Sequence, residues 1–207
     1  MSDSEPNPKP NLIPNPNRNA IIATLFPWKE DVHVQIMRRY FSKMRGNRRT
    51  TPLVAPPPLD VFLSGLGAFL GLSLIGFLAL SYHLPLLFAP LGASAVLIYG
   101  APDAPLSQPR NLLLGHTLSA SIGVLTYFFF GFTWWSAALG TSLAILLMML
   151  TKTTHPPGGA TALFAIMSKA QFIYILTPVL TGVFLLLIIA LLINNLSPNR
   201  SYPRYWL

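Results

Sequence analysis

Cysteine is absent from the 207-residue sequence, which excludes disulfides, thiolate metal sites and cysteine nucleophiles. Acidic side chains are almost as scarce, six against fourteen Lys and Arg, for a net charge of +8. Five of those acids and nine of the bases fall at or before Asp60, so residues 61–207 carry only Arg110, Lys152, Lys169, Arg200, Arg204 and Asp103. So little charge over such a length is incompatible with an ordinary soluble surface. Carboxylate cation sites are excluded there too. No two histidines have the spacing of a metal pair on one helix, and no nucleophile–base constellation or phosphate-binding glycine loop occurs. Catalytic residues, metals, cofactors and an enzymatic role are therefore not expected. A basic chain can bind nucleic acid, but basic residues flanking apolar spans are what hold the cytoplasmic side of a membrane protein in place, so no nucleic-acid partner is read.

Hydrocarbon fills the space that charge has left: 52% of the chain is hydrophobic. Four apolar stretches reach the roughly 20 helical residues that cross a bilayer core, at 59–82, 111–131, 133–151 and 172–196. Two more are short and broken. The first, 84–100, holds Pro85 and Pro90; the second, 155–168, holds Pro156, Pro157, Gly158 and Gly159. The expected fold is an all-α polytopic membrane protein with four full spans and two half-helix segments. Small residues four apart, at Gly67/Gly71, Gly115/Ser119/Gly123 and Ser136/Gly140/Ala144, predict close helix packing and leave a homo-oligomer open.

Before the first span lie two segments of different character. Residues 1–27 are rich in Pro and Asn and are expected to be a disordered tail, unlike a signal or transit peptide. Residues 28–58 combine a helix with apolar side chains at every fourth position (Trp28, Val32, Ile36, Tyr40, Met44) and Arg38, Arg39, Lys43 and Arg45 elsewhere on the wheel, followed by a proline linker. That pattern suits an interfacial helix on anionic lipid, or one packed on another protein surface. Residues 197–207 are expected to be an interfacial tail.

The chain reads as two copies of one unit. Laying Ala89-Pro90-Leu91-Gly92-Ala93-Ser94-Ala95 over Pro156-Pro157-Gly158-Gly159-Ala160-Thr161-Ala162 matches Pro, Gly, Ala and Ala, with Ser opposite Thr, and the same offset brings Gly115 onto Gly182. The repeats are 59–131 and 132–196, each a span, a short segment and a span. If the short segments cross, the halves are inverted and thirteen Lys and Arg lie inside with Lys169 alone outside; if they dip and return, the ratio is eleven to three. The positive-inside rule favours six passages with both termini cytoplasmic.

Paired Pro/Gly-broken segments in inverted halves point to a transport site at mid-membrane. Pro90 and Pro157 suit the first turn of a helix. Facing N-termini with free N–H groups and positive dipole ends form a site for an anion. Candidate binding residues are Pro90, Gly92, Ala93 and Ser94 in the first half and His155, Pro157, Gly158, Gly159, Ala160 and Thr161 in the second, with His116, Arg110 and Lys152 as polar lining. An ionisable side chain inside a span, such as His116, is costly and marks function by default.

The string from His155 to Ala162, together with Ala89 to Leu97, Gly100 to Asn111 and Gly115-His116, resembles the HPP family of small integral membrane proteins over roughly residues 57–194. The resemblance implies about four spans and, from members in cyanobacteria and chloroplasts, nitrite as substrate. The resulting expectation is a transporter or channel for a small inorganic anion, nitrite first, in the plasma membrane of a prokaryote or alternatively the chloroplast envelope. Its rivals are a lipid-sensing or scaffolding membrane protein and a pore for small neutral solutes. Single cysteines placed at Ser2 and Ser201 should both resist an impermeant thiol reagent in intact cells; labelling of either one contradicts the six-passage topology.

Overall fold

The computed structural model describes residues 32–44 and 55–206, which form helices and turns without a strand among the described residues. The 1–27 tail and most of the proline linker lie outside them. The chain divides into two compact units, Met1–Val54 and Ala55–Leu207. In the first, helix α1 (Val32–Met44) is exposed throughout and carries Ile36, Tyr40, Phe41 and Met44 together with Arg39 and Lys43.

The second unit begins with α2 (Pro58–Ser81) and the short α3 (Ala89–Gly100), then a single tight turn at Pro105–Ser107. It continues through α4 (Pro109–Phe130), α5 (Trp134–Leu150) and the short α6 (Pro156–Met167), and ends in a wide-turned segment, Ile175–Leu180, that runs into α7 (Thr181–Asn194). Proline opens α2, α3, α4 and α6, where its fixed φ suits the first turn and its missing N–H costs nothing. Helix α5 starts differently, with the hydroxyls of Thr133 and Ser136 each accepting from the other's backbone amide.

Among the described residues, three helical stretches are long and apolar enough to cross a membrane: Pro58–Ser81, Pro109–Phe130 and, across a kink at Thr177, Ile175–Asn194. Two expectations need correction. The stretch 133–151 yields a helix of only 17 residues, about 26 Å at 1.5 Å per residue, short of a hydrocarbon core of about 30 Å. The stretch 172–196 is not one helix: Thr177 takes extended angles (φ −134°, ψ 117°) immediately before Pro178. A proline lacks the N–H that a helix needs and pushes its predecessor out of the helical region, so Pro178 marks this break in the sequence itself. The short segments become helices of twelve residues each, about 18 Å long.

Packing follows the small residues. Helix α2 rests on α7 and α3, α5 rests on α4 and α6, and α4 lies along α6. A methyl group at Gly67 would stand 2.6 Å from the Tyr99 ring, one at Gly71 2.9 Å from Leu186, one at Gly123 2.6 Å from the Ala162 carbonyl, and one at Gly140 2.5 Å from Ile166. No side chain fits at these crossings. Such approach replaces the hydrophobic drive that is missing between helices in lipid.

The C-terminal residues, expected as an interfacial tail, are tied into the bundle instead. Asn194 Nδ2 donates to the Ile98 carbonyl at 3.0 Å, and Arg200 donates to the Tyr99 carbonyl at 3.2 Å, both at the end of α3. Arg200 also donates to the Asp60 carbonyl and the Ser64 hydroxyl and lies 3.7 Å from the Asp60 carboxylate, with its side chain only 7% exposed. Ser197 donates to the same carboxylate, and Tyr202, 2% exposed, donates to the Ser107 carbonyl. Removing one member of a buried ion pair leaves the other uncompensated, at a cost of about 3–5 kcal/mol. Arg200→Met should therefore lower stability by that order in thermal unfolding of the detergent-solubilised protein, and a loss below about 1 kcal/mol, the worth of an exposed pair, rules the clamp out.

Candidate functional site

Four fully buried polar side chains from three helices meet where α3 and α6 come together. Ser94 is the sixth residue of α3, Thr161 the sixth of α6, His155 caps α6, and His116 projects from α4. The Ser94 and Thr161 hydroxyls each also lie 3.2 Å from a carbonyl one turn back, at Pro90 and Pro157, which is an alternative acceptor for the hydroxyl's single proton. His155 is placed by what faces it. A methyl group on Gly115 would stand 2.7 Å from its Cβ, and one on Gly158 2.9 Å from the Ser119 hydroxyl and 3.0 Å from the Gly115 carbonyl. Glycine at both positions lets the start of α6 press onto α4. Asn111 holds the approach to it, donating to the Thr154 carbonyl at 2.8 Å.

The contacts form one line. His116 Nδ1 lies 2.7 Å from the Thr161 hydroxyl, and the Ser94 hydroxyl lies 2.6 Å from His116 Nε2 and 3.0 Å from His155 Nε2. His155 Nδ1 lies 2.8 Å from the Leu106 carbonyl. Only the last contact has a fixed direction, because a carbonyl can accept but never donate. His155 Nδ1 therefore carries a proton. In the neutral state its Nε2 is bare and takes the Ser94 hydroxyl proton; His116 Nε2–H then donates to Ser94, and Thr161 donates to His116 Nδ1. One carbonyl orders the whole chain. The two imidazole rings lie 4.9 Å apart, and the edge of Phe88 closes over His116.

The expected anion cradle of free amides is only partly present. At the start of α6, Pro156 and Pro157 have no N–H, and the Gly158 amide is spent on the His155 carbonyl at 2.8 Å. At α3, Pro90 has none and the Leu91 amide bonds the Phe88 carbonyl at 3.1 Å. The prolines that start these helices remove the donors that an anion would use, leaving the dipole, the hydroxyls and the imidazoles.

Of the residues singled out from the sequence, Ser94, His116, His155 and Thr161 come together, with Pro90, Pro157 and Gly158 buried beside them. Ala93 and Ala160 are exposed and line an apolar groove on the outer side of α3 and α6, with Val96 and Gly100. Gly92 and Gly159 are half-buried, with no crowding around either. Arg110 and Lys152 do not reach the cluster: Arg110 donates to the Thr151 carbonyl, and Lys152 is exposed in the α5–α6 turn. The sequence reading missed Asn111, and the Leu106 carbonyl carries no residue-type signal. Arg200, a flanking charge by its place in the sequence, is part of the bundle. A lone Arg just past the last span, with Asp60 at the start of the first, was the available clue.

An all-helical chain with membrane-length helices and a buried polar cluster between two half-helices belongs to the polytopic membrane proteins. Residues 54–203 match the transmembrane region of the HPP family, and the chain belongs to that family. It is 38% identical over 181 residues to a transmembrane protein of Dictyostelium discoideum, covering 81% of this chain and 63% of the relative. A second Dictyostelium transmembrane protein is 39% identical over 180 residues, covering 81% of the chain and 57% of that protein. The chain thus spans about three fifths of the length of these relatives. No solved structure matches.

The order of the chain has a direct spectroscopic check. In ¹⁵N spectra of the histidine-labelled protein in bilayers, neutral His155 should show the Nδ1–H tautomer and His116 the Nε2–H tautomer. The same tautomer on both rings contradicts the arrangement.

Proposed function

We propose that this membrane protein transports a small inorganic anion, nitrite first, past the junction of α3 and α6, without covalent chemistry. The observation that carries this reading is the complete burial of two histidines and two hydroxyls between half-helices that do not span a membrane alone. Polar side chains at such depth are expensive and are retained for transport pathways. A half-helix that starts inside the bilayer aims its positive end at an anion, and a second proton on His155 would add the charge that the missing amides do not supply.

The inverted repeat belongs to the same reading. Its offset, Pro90 to Pro157, lays Phe88 on His155, both N-caps of half-helices. Gly115 receives His155, while a methyl group on its counterpart Gly182 would meet Leu91 at 2.8 Å and Phe88 at 3.7 Å. Each late helix thus seats the half-helix of the other repeat on a glycine. Val183 stands at the place equivalent to His116, so the polar chain is built on one side only. Six passages with both termini on the cytoplasmic face of the plasma membrane complete the topology. The apolar and basic residues of α1 suit contact with anionic lipid.

Nitrite uptake into proteoliposomes tests the reading directly, and osmotic swelling without nitrite uptake would instead favour a pore for neutral solutes. His155→Gln keeps a donor but cannot take a second proton. Nitrite affinity should rise as pH falls in the native protein and lose that dependence in the variant. An unchanged pH profile in well-folded His155→Gln removes this side chain from the site.

A further inference from the structure

We infer that the line Thr161–His116–Ser94–His155 is a proton relay, through which this membrane core passes protons. The argument starts from a count of donors and acceptors. In the neutral state described above, four protons point from Thr161 toward Leu106, and every ring nitrogen and hydroxyl is satisfied. A fifth proton fits without moving a heavy atom. Delivered by water to the Thr161 oxygen, it displaces the Thr161 proton onto His116 Nδ1. The His116 Nε2 proton passes to Ser94, and the Ser94 proton passes to His155 Nε2. Thr161 now donates to the Pro157 carbonyl, 3.2 Å away. His116 Nδ1 donates to Thr161, Ser94 donates to His116 Nε2, and His155 donates from both nitrogens, to Ser94 and to the Leu106 carbonyl.

Both states are therefore completely hydrogen-bonded on one set of positions, with separations of 2.6, 2.7, 2.8 and 3.0 Å along the line. A network with no second arrangement would have to break a buried bond to take up a proton. The carbonyl behind Thr161 is what supplies the second arrangement. Release is balanced when the half-buried Leu106 stretch of the α3–α4 connection moves aside and a water takes the carbonyl's place, so that the charged His155 gives its Nδ1 proton to that water. One proton enters at Thr161 and one leaves at His155. Release leaves both histidines in the other tautomer, with the bare Nδ1 facing a carbonyl oxygen, lone pair against lone pair, and the starting order returns only when both rings reorient, which is the slow step of each turnover.

Among the described residues, no Lys, Arg, Asp or Glu is hydrogen-bonded to the line. Phe88 lies edge-on to His116 and the Tyr174 hydroxyl lies 3.4 Å from the Thr161 carbonyl, while Ser119 and Met148 face Gly158 beside the line; Arg110 and Lys152 stay outside it. The extra proton comes to rest on the N-cap of α6, where the positive helix end opposes it. An anion bound there relieves that repulsion, so each ligand favours the other, which is a coupling free energy between them. This last link rests on the anion-transport reading; the relay itself does not.

The purified 207-residue protein in liposomes, with a valinomycin-set potassium voltage, a trapped pH-sensitive dye for protons and a colorimetric assay of trapped nitrite, reads both fluxes after subtraction of protein-free liposomes. The native protein should pass protons down the voltage, with or without nitrite, or together with nitrite. Ser94→Ala, which interrupts the line, should cut proton flux about a hundredfold, at the low end of what a positioned proton-transfer group contributes. Ser94→Thr, which keeps the hydroxyl, should retain it. Proton flux without nitrite flux upholds the relay and refutes the nitrite reading. Nitrite flux without protons, no flux of either kind, or a folded Ser94→Ala that conducts protons as the native protein does, each overturns the relay.

Discussion

Backbone polar groups inside a bilayer have no water to turn to, and every place where this chain stops being helical at depth must be repaired by protein atoms. The two half-helices create four such places. The carbonyls that end α3 are taken by Asn194 and Arg200. The turn after α3 is held by Gln108, which donates to the Pro102 and Ala104 carbonyls, and by Ser107, which donates to those of Leu97 and Ala101. The helix starts are repaired by subtraction, since prolines bring no amide to satisfy. Among the described residues no buried side-chain nitrogen or oxygen lacks a partner.

The same constraint explains why the polar cluster sits where it does. A histidine on a long apolar helix such as α4 needs partners within reach, and only the junction of two short helices brings hydroxyls from both sides. Gly115 and Gly158 make that junction close enough, and the Leu106 carbonyl gives the resulting line a direction. Structural repair and the polar cluster thus draw on one set of contacts. The clamp at Asp60 and Arg200 fixes the far end of α3 and so fixes Ser94 six residues into it.

Much of this was legible in the residues. Apolar length and the absence of charge mark the membrane helices, Pro-Gly strings mark both half-helices, and the pairing of Ser94 with Thr161 is visible in the repeat. Other features were not. The break at Thr177 was hidden by the apolar run around Pro178, although proline rules predict it. The short reach of α5 depends on where its cap falls, and caps shift helix ends by a turn. Arg110 and Lys152 looked like lining because charge is rare here, yet long basic side chains stay at the surface when no buried carboxylate draws them in. The free amides are fewer than expected because the same prolines that start the helices delete donors.

The central claim is that the junction of α3 and α6 holds the transported anion. Solid-state NMR with ¹⁵N-nitrite and ¹³C-histidine protein in bilayers measures this proximity directly. Magnetisation should pass from nitrite to the ring carbons of His155. Saturable nitrite binding with no transfer to His155 or His116 would contradict the account.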